Sequence, residues 1–351
     1  MVHAVSDPRT SLELLHRIED AQSGLKGAIA IHSTALGPAA GGCRFWHYDG
    51  EDALEIDAVR LARGMSYKNA MAGLPLGGGK AVLQRPPGDF DRAALFRAFG
   101  RAVAALGGRY VTAEDVGTSV GDMRTVRMET THVAGLDAAP GKAGGDPSPW
   151  TALGVFKAME AAAKATLGSD LKGLRVAVQG TGSVGADLCR LLAETGAKLI
   201  LSDIDTGRAR ALADALGARY VFADEILAVD ADILAPCALG AVLNAQTIPM
   251  LAVRLVCGAA NNQLATETDG AALLARGIAY VPDYVANAGG IINVSAEYLS
   301  ETTAEVRQRI DGIAGRVTRI LDETARTGRP SQDIADEMAR RIIAGADQAA
   351  A

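Results

Sequence analysis

The chain holds only four cysteines in 351 residues, Cys43, Cys189, Cys237 and Cys257. None forms a C-x-x-C pair and no Cys/His spacing suits zinc, which excludes a disulfide framework and a structural metal site as organising principles. Reduced, mostly buried thiols in a cytoplasmic protein are the expectation. Positive charge is also short: 35 Lys and Arg stand against 41 Asp and Glu, a formal net charge of -6. That balance leaves no electrostatic footprint for nucleic acid. A small anionic ligand is not excluded, because local charge can oppose the global sign. No uncharged apolar run reaches the length of a membrane span. The first residues carry Asp7, Glu13, Glu19 and Asp20 rather than the basic-then-apolar order of a signal peptide. No internal repeat is visible, and the only biased tracts are alanine-rich helices.

What is present is an ordinary globular composition, 49% hydrophobic and 22% charged, in a chain long enough for about two domains. One stretch organises it. Tyr67-Lys68-Asn69-Ala70-Met71-Ala72-Gly73-Leu74-Pro75-Leu76-Gly77-Gly78-Gly79-Lys80 sets two lysines in an otherwise uncharged segment, on either side of a Gly/Pro turn. Buried ammonium groups need anionic partners or a task in which one loses its proton. The plainer alternative is a helix end with snorkelling lysines, which spacing alone favours. The features that follow reverse that preference.

Leu12, Leu14, Leu15 and Ile18 predict a short amphipathic opening helix, followed by extended segments at Gly27 to His32 and Arg44 to Tyr48. Between these lies Gly37-Pro38-Ala39-Ala40-Gly41-Gly42, a composition that suits either a loop pressed on a ligand or a plain hairpin connection. Leu54, Ala58, Leu61, Ala62 and Met65 predict a helix from Glu51 to about Ala72, which places Lys68 near its C-terminus. Lys80 then opens a strand. A helix is expected from Asp91 to Leu106, then a strand from Arg109 to Ala113 whose end carries Glu114-Asp115. Strand ends are where α/β sheets keep their sites.

Gly117-Thr118-Ser119-Val120-Gly121 matches the serine-hydrolase elbow. The only later histidine is His132, too near in the chain for the order Ser…Asp…His, so Ser119 is read as a helix cap. Asp137 to Trp150, dense in Pro, Gly and Asp, is the best domain boundary. Beyond it, the strand Leu174 to Gln179 runs into Gly180-Thr181-Gly182-Ser183-Val184-Gly185 and a helix through Leu188, and Asp203 closes the next strand about 20 residues on. A lone G-x-G-x-x-G is weak evidence; in this context it is strong. Gly180 permits the turn, Gly182 the approach of a pyrophosphate, and Gly185 close helix packing. An acidic Asp203 suits ribose hydroxyls and repels a 2′-phosphate, which favours NAD over NADP. Arg208 and Arg210 would oppose this, although both fit a solvated helix face. Further strands at 219–221, 232–235, 255–257 and 278–281 complete a doubly wound sheet. Ala238 and Gly258 to Asn262 fall on its carboxyl edge, where Asn262 could hold a carboxamide or simply satisfy nearby backbone. Asn287 to Val294 reads as a glycine hinge entering a helix. Two amphipathic helices close the chain, one through Val306, Ile310 and Ile313, the other after Gly328.

Together GPAAGG, YKNAMAGLPLGGGK, TAEDVGT, GTGSVG, GAANNQ and NAGGIINV resemble the amino-acid dehydrogenase family of glutamate, leucine, valine and phenylalanine dehydrogenases, from about Gly37 to Asn293. The resemblance implies two α/β domains separated by a cleft: a substrate domain over 1–136 and a Rossmann NAD-binding domain over 137–326, with the C-terminal helix of about 327–351 a candidate to pack back on the first. It implies reversible oxidative deamination, in which an L-amino acid, NAD⁺ and water give a 2-oxo acid, ammonium and NADH. It implies a homo-oligomer, and closure about a hinge near Gly289. By similarity Lys68 binds the substrate carboxylate with the backbone of Gly41 and Gly42, Lys80 is the base that activates water, and Asp115 shuttles protons at nitrogen. Ala40, Ala113, Ile291 and Val294 line the side-chain pocket, and Asn262 touches substrate or cofactor. Glutamate-specific members carry lysine and serine at the positions of Ala40 and Val294, so a dicarboxylic substrate is not expected. Leucine-specific members carry leucine at the position of Ala40. Truncation to alanine there leads to an expectation of phenylalanine ahead of leucine or valine. A non-catalytic NAD-binding regulator is the rival from another class; intact Lys68, Lys80 and Asp115 speak against it.

Overall fold

The computed structural model describes residues 12–136 and 143–345. The chain divides into two compact units. The first comprises the described residues up to 145 together with 294–303 and 339–345; the second comprises 146–293 and 304–338. Six residues of the expected boundary stretch, 137–142, and the tail beyond 345 lie outside the described residues.

The first unit contains β1 (Leu14–Asp20), β2 (Leu25–Ser33), β3 (Ala39–Ala40), β4 (Cys43–Trp46), α1 (Glu51–Met71), β5 (Gly77–Gln84), α2 (Arg92–Ala105), β6 (Tyr110–Val111) and α3 (Val120–Arg127). Its mixed sheet runs β1-β2-β5-β3-β6, with β4 also on β5. Strand periodicity sorts the two faces. Ala28, Ala30 and Val82 face α1 through Leu54, Ala58 and Ala62, whereas Ile29, Ile31 and Leu83 pack against Phe96 and Phe99 of α2. Small residues on one side bring α1 close to the sheet; bulky ones fill the other, each buried side chain contributing about 1.5–3 kcal/mol.

The opening helix expected over Leu12 to Ile18 is instead β1, paired antiparallel with β2 from Leu14↔Ile31 to Asp20↔Leu25. Seven residues are too few to hold a helix alone, and the ladder offered by β2 overrides local spacing. The loop expected over 37–42 contributes the short strand β3. The expected Ser119 cap is present as a capping box with Asp122.

The second unit contains α4 (Ser148–Leu167), β7 (Arg175–Gln179), α5 (Ser183–Glu194), β8 (Lys198–Ser202), α6 (Thr206–Leu216), β9 (Arg219–Tyr220), β10 (Ile233–Pro236), β11 (Leu255–Val256), α7 (Asp269–Ala275), β12 (Ala279–Tyr280), α8 (Asp283–Ala286), α10 (Thr303–Thr327) and the first half of α11 (Ser331–Ile343). The helix α9 (Gly289–Leu299) begins in this unit and ends in the first. The sheet is parallel throughout, in the order β12-β11-β10-β7-β8-β9. The strand order reverses between β7 and β10, the switch point at which such sheets bind dinucleotides.

Gly289 and Gly290, expected as a hinge, lie inside α9. A Cβ on Gly289 would stand 1.9 Å from the Trp150 carbonyl oxygen, and one on Gly290 2.4 Å from the Thr151 hydroxyl. These glycines serve close packing of α9 on α4. Among the described residues no helix is long and apolar enough to cross a membrane. All four cysteines are free thiols, Cys43, Cys189 and Cys257 buried and Cys237 partly so.

Candidate active site

The parallel strands β3 and β4 both lie on β5, and the chain passes between them through Gly41 and Gly42. No other residue type fits there. A Cβ on Gly41 would sit 1.9 Å from the Gly79 carbonyl oxygen and 3.0 Å from Met65 Cγ; one on Gly42 would sit 2.5 Å from the Glu114 carbonyl oxygen and 2.9 Å from Asp115 Cβ. The glycine pair therefore brings together β5, the Met65 turn of α1 and the end of β6. Tyr110 closes the gap between the strands: its hydroxyl donates to the Gly41 carbonyl at 2.6 Å and accepts from the Ala81 N–H at 3.0 Å.

Lys80, in the middle of β5, is 5% exposed, and its Nζ meets Asp115 Oδ2 at 3.0 Å. Burial lowers the Lys80 pKa below its ordinary value and outweighs the opposing pull of Asp115. Burial alone would raise Asp115; the Lys80 ammonium and Arg44 guanidinium outweigh it and hold the carboxyl below the usual range. The pair thus combines an ionised carboxylate with an ammonium poised to lose its proton. Lys68 lies one turn beyond Met65 on α1 and is partly exposed. The adjoining Asn69 fixes that turn, its Nδ2 donating to the carbonyls of Ala40 (3.3 Å) and Gly77 (2.6 Å). The Gly41 N–H donates to the Val111 carbonyl at 3.1 Å, which corrects its expected role: it is committed to the sheet and not offered to a carboxylate.

Ala40 is buried and Ala113 and Val294 are partly exposed. The last two meet around Gly135, where a Cβ would lie 3.8 Å from Ala113 Cβ and 3.9 Å from Val294 Cγ1. Ile291 is partly exposed on the first turn of α9, which belongs to the second unit.

In the second unit, Gly180 (φ 99°) turns the chain from β7 into α5. A Cβ there would stand 2.9 Å from Ala238 Cβ, and one on Gly185 would stand 2.0 Å from the Gly180 carbonyl oxygen, so the loop, the end of β10 and α5 are in contact. By contrast, a Cβ on Gly182 would meet nothing within 4 Å. Gly182 is the N-cap of α5, with exposed Ser183 and half-buried Val184 in the first turn; open space before a helix N-terminus fits a pyrophosphate. Ala238 and Asn262 (φ 51°) are exposed after β10 and β11, on the same carboxyl edge.

Thr181 is 1% exposed and turned inward, donating both its N–H (2.6 Å) and its hydroxyl (3.0 Å) to Asp203 Oδ2. Asp203 Oδ1 accepts from the Asp205 N–H and from Arg208 Nη2, each at 2.9 Å. Burial opposes ionisation, but these donors prevail and hold the carboxyl at about 2. A carboxylate has about four lone-pair sites and all four are filled, so a ribose hydroxyl reaches Asp203 only by replacing Arg208. Sequence reasoning assigned Arg208 to a solvated face and did not see this pairing. It also passed over Arg44, Asp57 and Tyr48, which lie around Asp115; the one local signal was a charged residue directly after the glycine pair and Cys43.

Residues 10–132 match the family model described as Glu/Leu/Phe/Val dehydrogenase, dimerisation domain, and residues 146–207 and 205–349 match that of Glutamate/Leucine/Phenylalanine/Valine dehydrogenase. The chain belongs to the Glu/Leu/Phe/Val dehydrogenase family. It is an amino-acid dehydrogenase, an oxidoreductase that depends on NAD(P). A leucine dehydrogenase of Bacillus subtilis (strain 168) is 49% identical over 93% of this chain and 89% of its own length. A valine dehydrogenase of Streptomyces albus is 44% identical over 93% and 91%. The crystal structure of L-tryptophan dehydrogenase from Nostoc punctiforme superposes with a TM-score of 0.88 at 39% identity, covering 97% of this dehydrogenase and 98% of that chain. These relatives overturn the expectation that the chain is most like a phenylalanine dehydrogenase. A short side chain at Ala40 does not by itself select phenylalanine, because one or two methylenes discriminate apolar side chains by only about 1–3 kcal/mol.

Proposed function

We propose that this dehydrogenase catalyses the reversible, NAD-dependent oxidative deamination of branched aliphatic L-amino acids, leucine before valine. The buried Lys80–Asp115 pair beside Gly42 carries this reading. Lys68 holds the substrate carboxylate, with Gly42 as the glycine of the pair still assigned to it. Bound NAD supplies a two-electron hydride acceptor. Asp115 takes a proton from the substrate ammonium, so that the nitrogen lone pair can form the C=N bond as hydride leaves the α-carbon. Lys80, whose charged form burial disfavours, acts in its unprotonated form and takes a proton from water as the oxygen adds to that carbon. Asp115 returns its proton to nitrogen and, ionised again, takes the hydroxyl proton as the C–N bond breaks and the C=O bond forms; ammonia and the 2-oxo acid leave, and Asp115 and Lys80 each release one proton to solvent. The fixed charges around Asp115 need no reorganisation during these transfers.

The small and branched side chains of Ala113 and Val294, which meet around Gly135, support a branched aliphatic substrate side chain. Alanine at 40 supports secondary acceptance of larger apolar ones, since pocket methylenes discriminate by only about 1–3 kcal/mol. Gly182 and the first turn of α5 would hold the pyrophosphate, and Asp203 the ribose once Arg208 yields Oδ1. The dimerisation-domain match supports a homo-oligomer, and four free thiols support a reducing, cytoplasmic setting. The test is NADH formation, followed by its near-ultraviolet absorbance, with L-leucine, L-valine and L-phenylalanine at alkaline pH. A ratio of kcat/KM for leucine to phenylalanine above one is expected, and a ratio below one refutes the substrate assignment. No NADH from any amino acid would leave only a binding protein.

A further inference from the structure

Asp115 is held by more positive charge than the base alone accounts for. Its Oδ2 receives Lys80 Nζ at 3.0 Å and also Arg44 Nε at 3.2 Å. Arg44 projects from β4 with its side chain 22% exposed, and its Nη1 donates to Asp57 Oδ2 at 3.0 Å. That same oxygen accepts from the Tyr48 hydroxyl at 2.6 Å, while Asp57 Oδ1 accepts from Arg60 Nη2 at 2.9 Å. The result is a chain of alternating charge, Lys80, Asp115, Arg44 and Asp57, anchored on α1 and closed by a phenol. Both cations engage one oxygen of Asp115. Among the described residues no hydrogen bond reaches the other, Oδ1.

We infer that Arg44, held in place by Asp57 and Tyr48, is a positioning residue for the Asp115–Lys80 pair: it fixes Oδ1 as the oxygen that meets the reacting nitrogen and sets the charge balance in which both proton carriers work. The inference rests on the proposed deamination. A guanidinium suits the task because its charge does not titrate over any working pH and its fork binds two carboxylates at fixed angles. The other groups facing the pair differ in kind. Cys43 on β4 and Tyr110 on β6 are buried and pushed up, hence neutral; Glu114 adjoins Asp115 in the chain, and Lys68 stands on α1. Arg92 is paired with Asp122 and so offers little net charge.

The sign of the effect follows from the layout. Arg44 lowers the pKa of both Asp115 and Lys80. Its removal raises both, so the ascending limb of log kcat/KM against pH moves to higher pH. Removal of the Asp57 charge leaves Arg44 uncompensated, and the limb moves to lower pH. Each displacement should be about 0.5–1 pH unit, the scale of one neighbouring charge partly exposed to water. A purely structural role would not give opposite signs.

The experiment compares wild type with Arg44→Gln, Arg44→Lys and Asp57→Asn. It records pH profiles of kcat/KM for L-leucine, NADH affinity by fluorescence titration, and circular dichroism. Expected are an upward shift for Arg44→Gln, a downward shift for Asp57→Asn, a limb near wild type for Arg44→Lys with kcat reduced several-fold, and NADH affinity unchanged in all three. Limbs that stay within 0.2 pH unit of wild type, or that move in one direction for both charge-removing variants, overturn the inference while wild-type turnover leaves the deamination standing; that threshold is about a quarter of the expected shift. Should Arg44→Gln fail to fold, the direction for Asp57→Asn decides alone. Absence of wild-type turnover with every amino acid removes the deamination reading, and this inference with it.

Discussion

Replacing Lys80 by glutamine tests the chemistry most directly, because the amide keeps most of the side-chain volume and loses the exchangeable charge. General-base assistance contributes about 10²–10⁴ in rate, so kcat should fall by that factor, or about 3–5 kcal/mol in activation free energy. The structural penalty is smaller. Removing one partner of a fully buried ion pair costs about 3–5 kcal/mol, but Asp115 keeps Arg44 at 3.2 Å and its side chain is 24% exposed. A stability loss of about 1–3 kcal/mol is therefore expected, discounted for that solvent access. The assay pairs initial rates of NADH formation with NADH affinity by fluorescence and with urea denaturation. Affinity should be unchanged, since no dinucleotide residue is touched. In the wild type, kcat should rise with pH through a pKa below the ordinary lysine range, because the unprotonated amine is the active form and burial lowers its pKa. A variant that folds and keeps kcat within about threefold of wild type would remove Lys80 as the base.

Three further outcomes follow from single distances and partners. Gly185→Ala should cost about 1–3 kcal/mol in stability, because its Cβ would lie 2.0 Å from a backbone oxygen; Gly182→Ala, with open space around it, should melt like wild type yet bind NADH more weakly, and equal behaviour of the two would refute the division of labour between these glycines. Ser119→Ala should lose about 1 kcal/mol of thermal stability with the capping box and keep full turnover; a tenfold loss of kcat at unchanged stability would make Ser119 chemical after all. Asp203 is held down at about 2, so its stabilising contribution is complete above the ordinary aspartate range and is lost as pH falls through about 2. Acid unfolding followed by intrinsic fluorescence should lose that component in Asp203→Asn, and an unchanged acid profile would show that its four donors contribute nothing.

Most of the second unit was legible in the sequence because its signals are local. Strand, glycine turn, helix and terminal aspartate lie within one short window, where Gly180 and Gly185 answer to close contacts and Gly182 to open space. The ends of α1 and α2 lie within a residue of the expected bounds, and the structure shows Asp91 capping α2. What was not legible depends on partners distant in sequence. The apolar spacing of Leu14, Leu15 and Ile18 suits one face of a helix, and only the presence of β2 makes the segment a strand. Arg44 and Asp115 lie 71 positions apart and Asp203 meets Thr181 across 22, so no window could have shown which donors fill which carboxylate. Gly289 and Gly290 had two uses, bending and close approach, and sequence alone does not choose between them.

Tyr110 carries a consequence for how the enzyme can vary. Its phenol serves as a rung where main-chain pairing lapses between β3 and β4, joining the Gly41 carbonyl to the Ala81 amide. Ala81 follows Lys80 directly, so the anchor that lets the glycine pair leave the ladder also steadies the strand that presents the amine. Loss of that one oxygen would remove the phenolic donor to the Gly41 carbonyl and the phenolic acceptor of the Ala81 amide, whose contact to the Gly42 carbonyl is 3.3 Å, in a buried place. Side chains that shape substrate choice can drift independently of one another. At position 110 the architecture and the chemistry are mortgaged to the same hydroxyl, and a change there must be answered in the backbone around it or not tolerated at all.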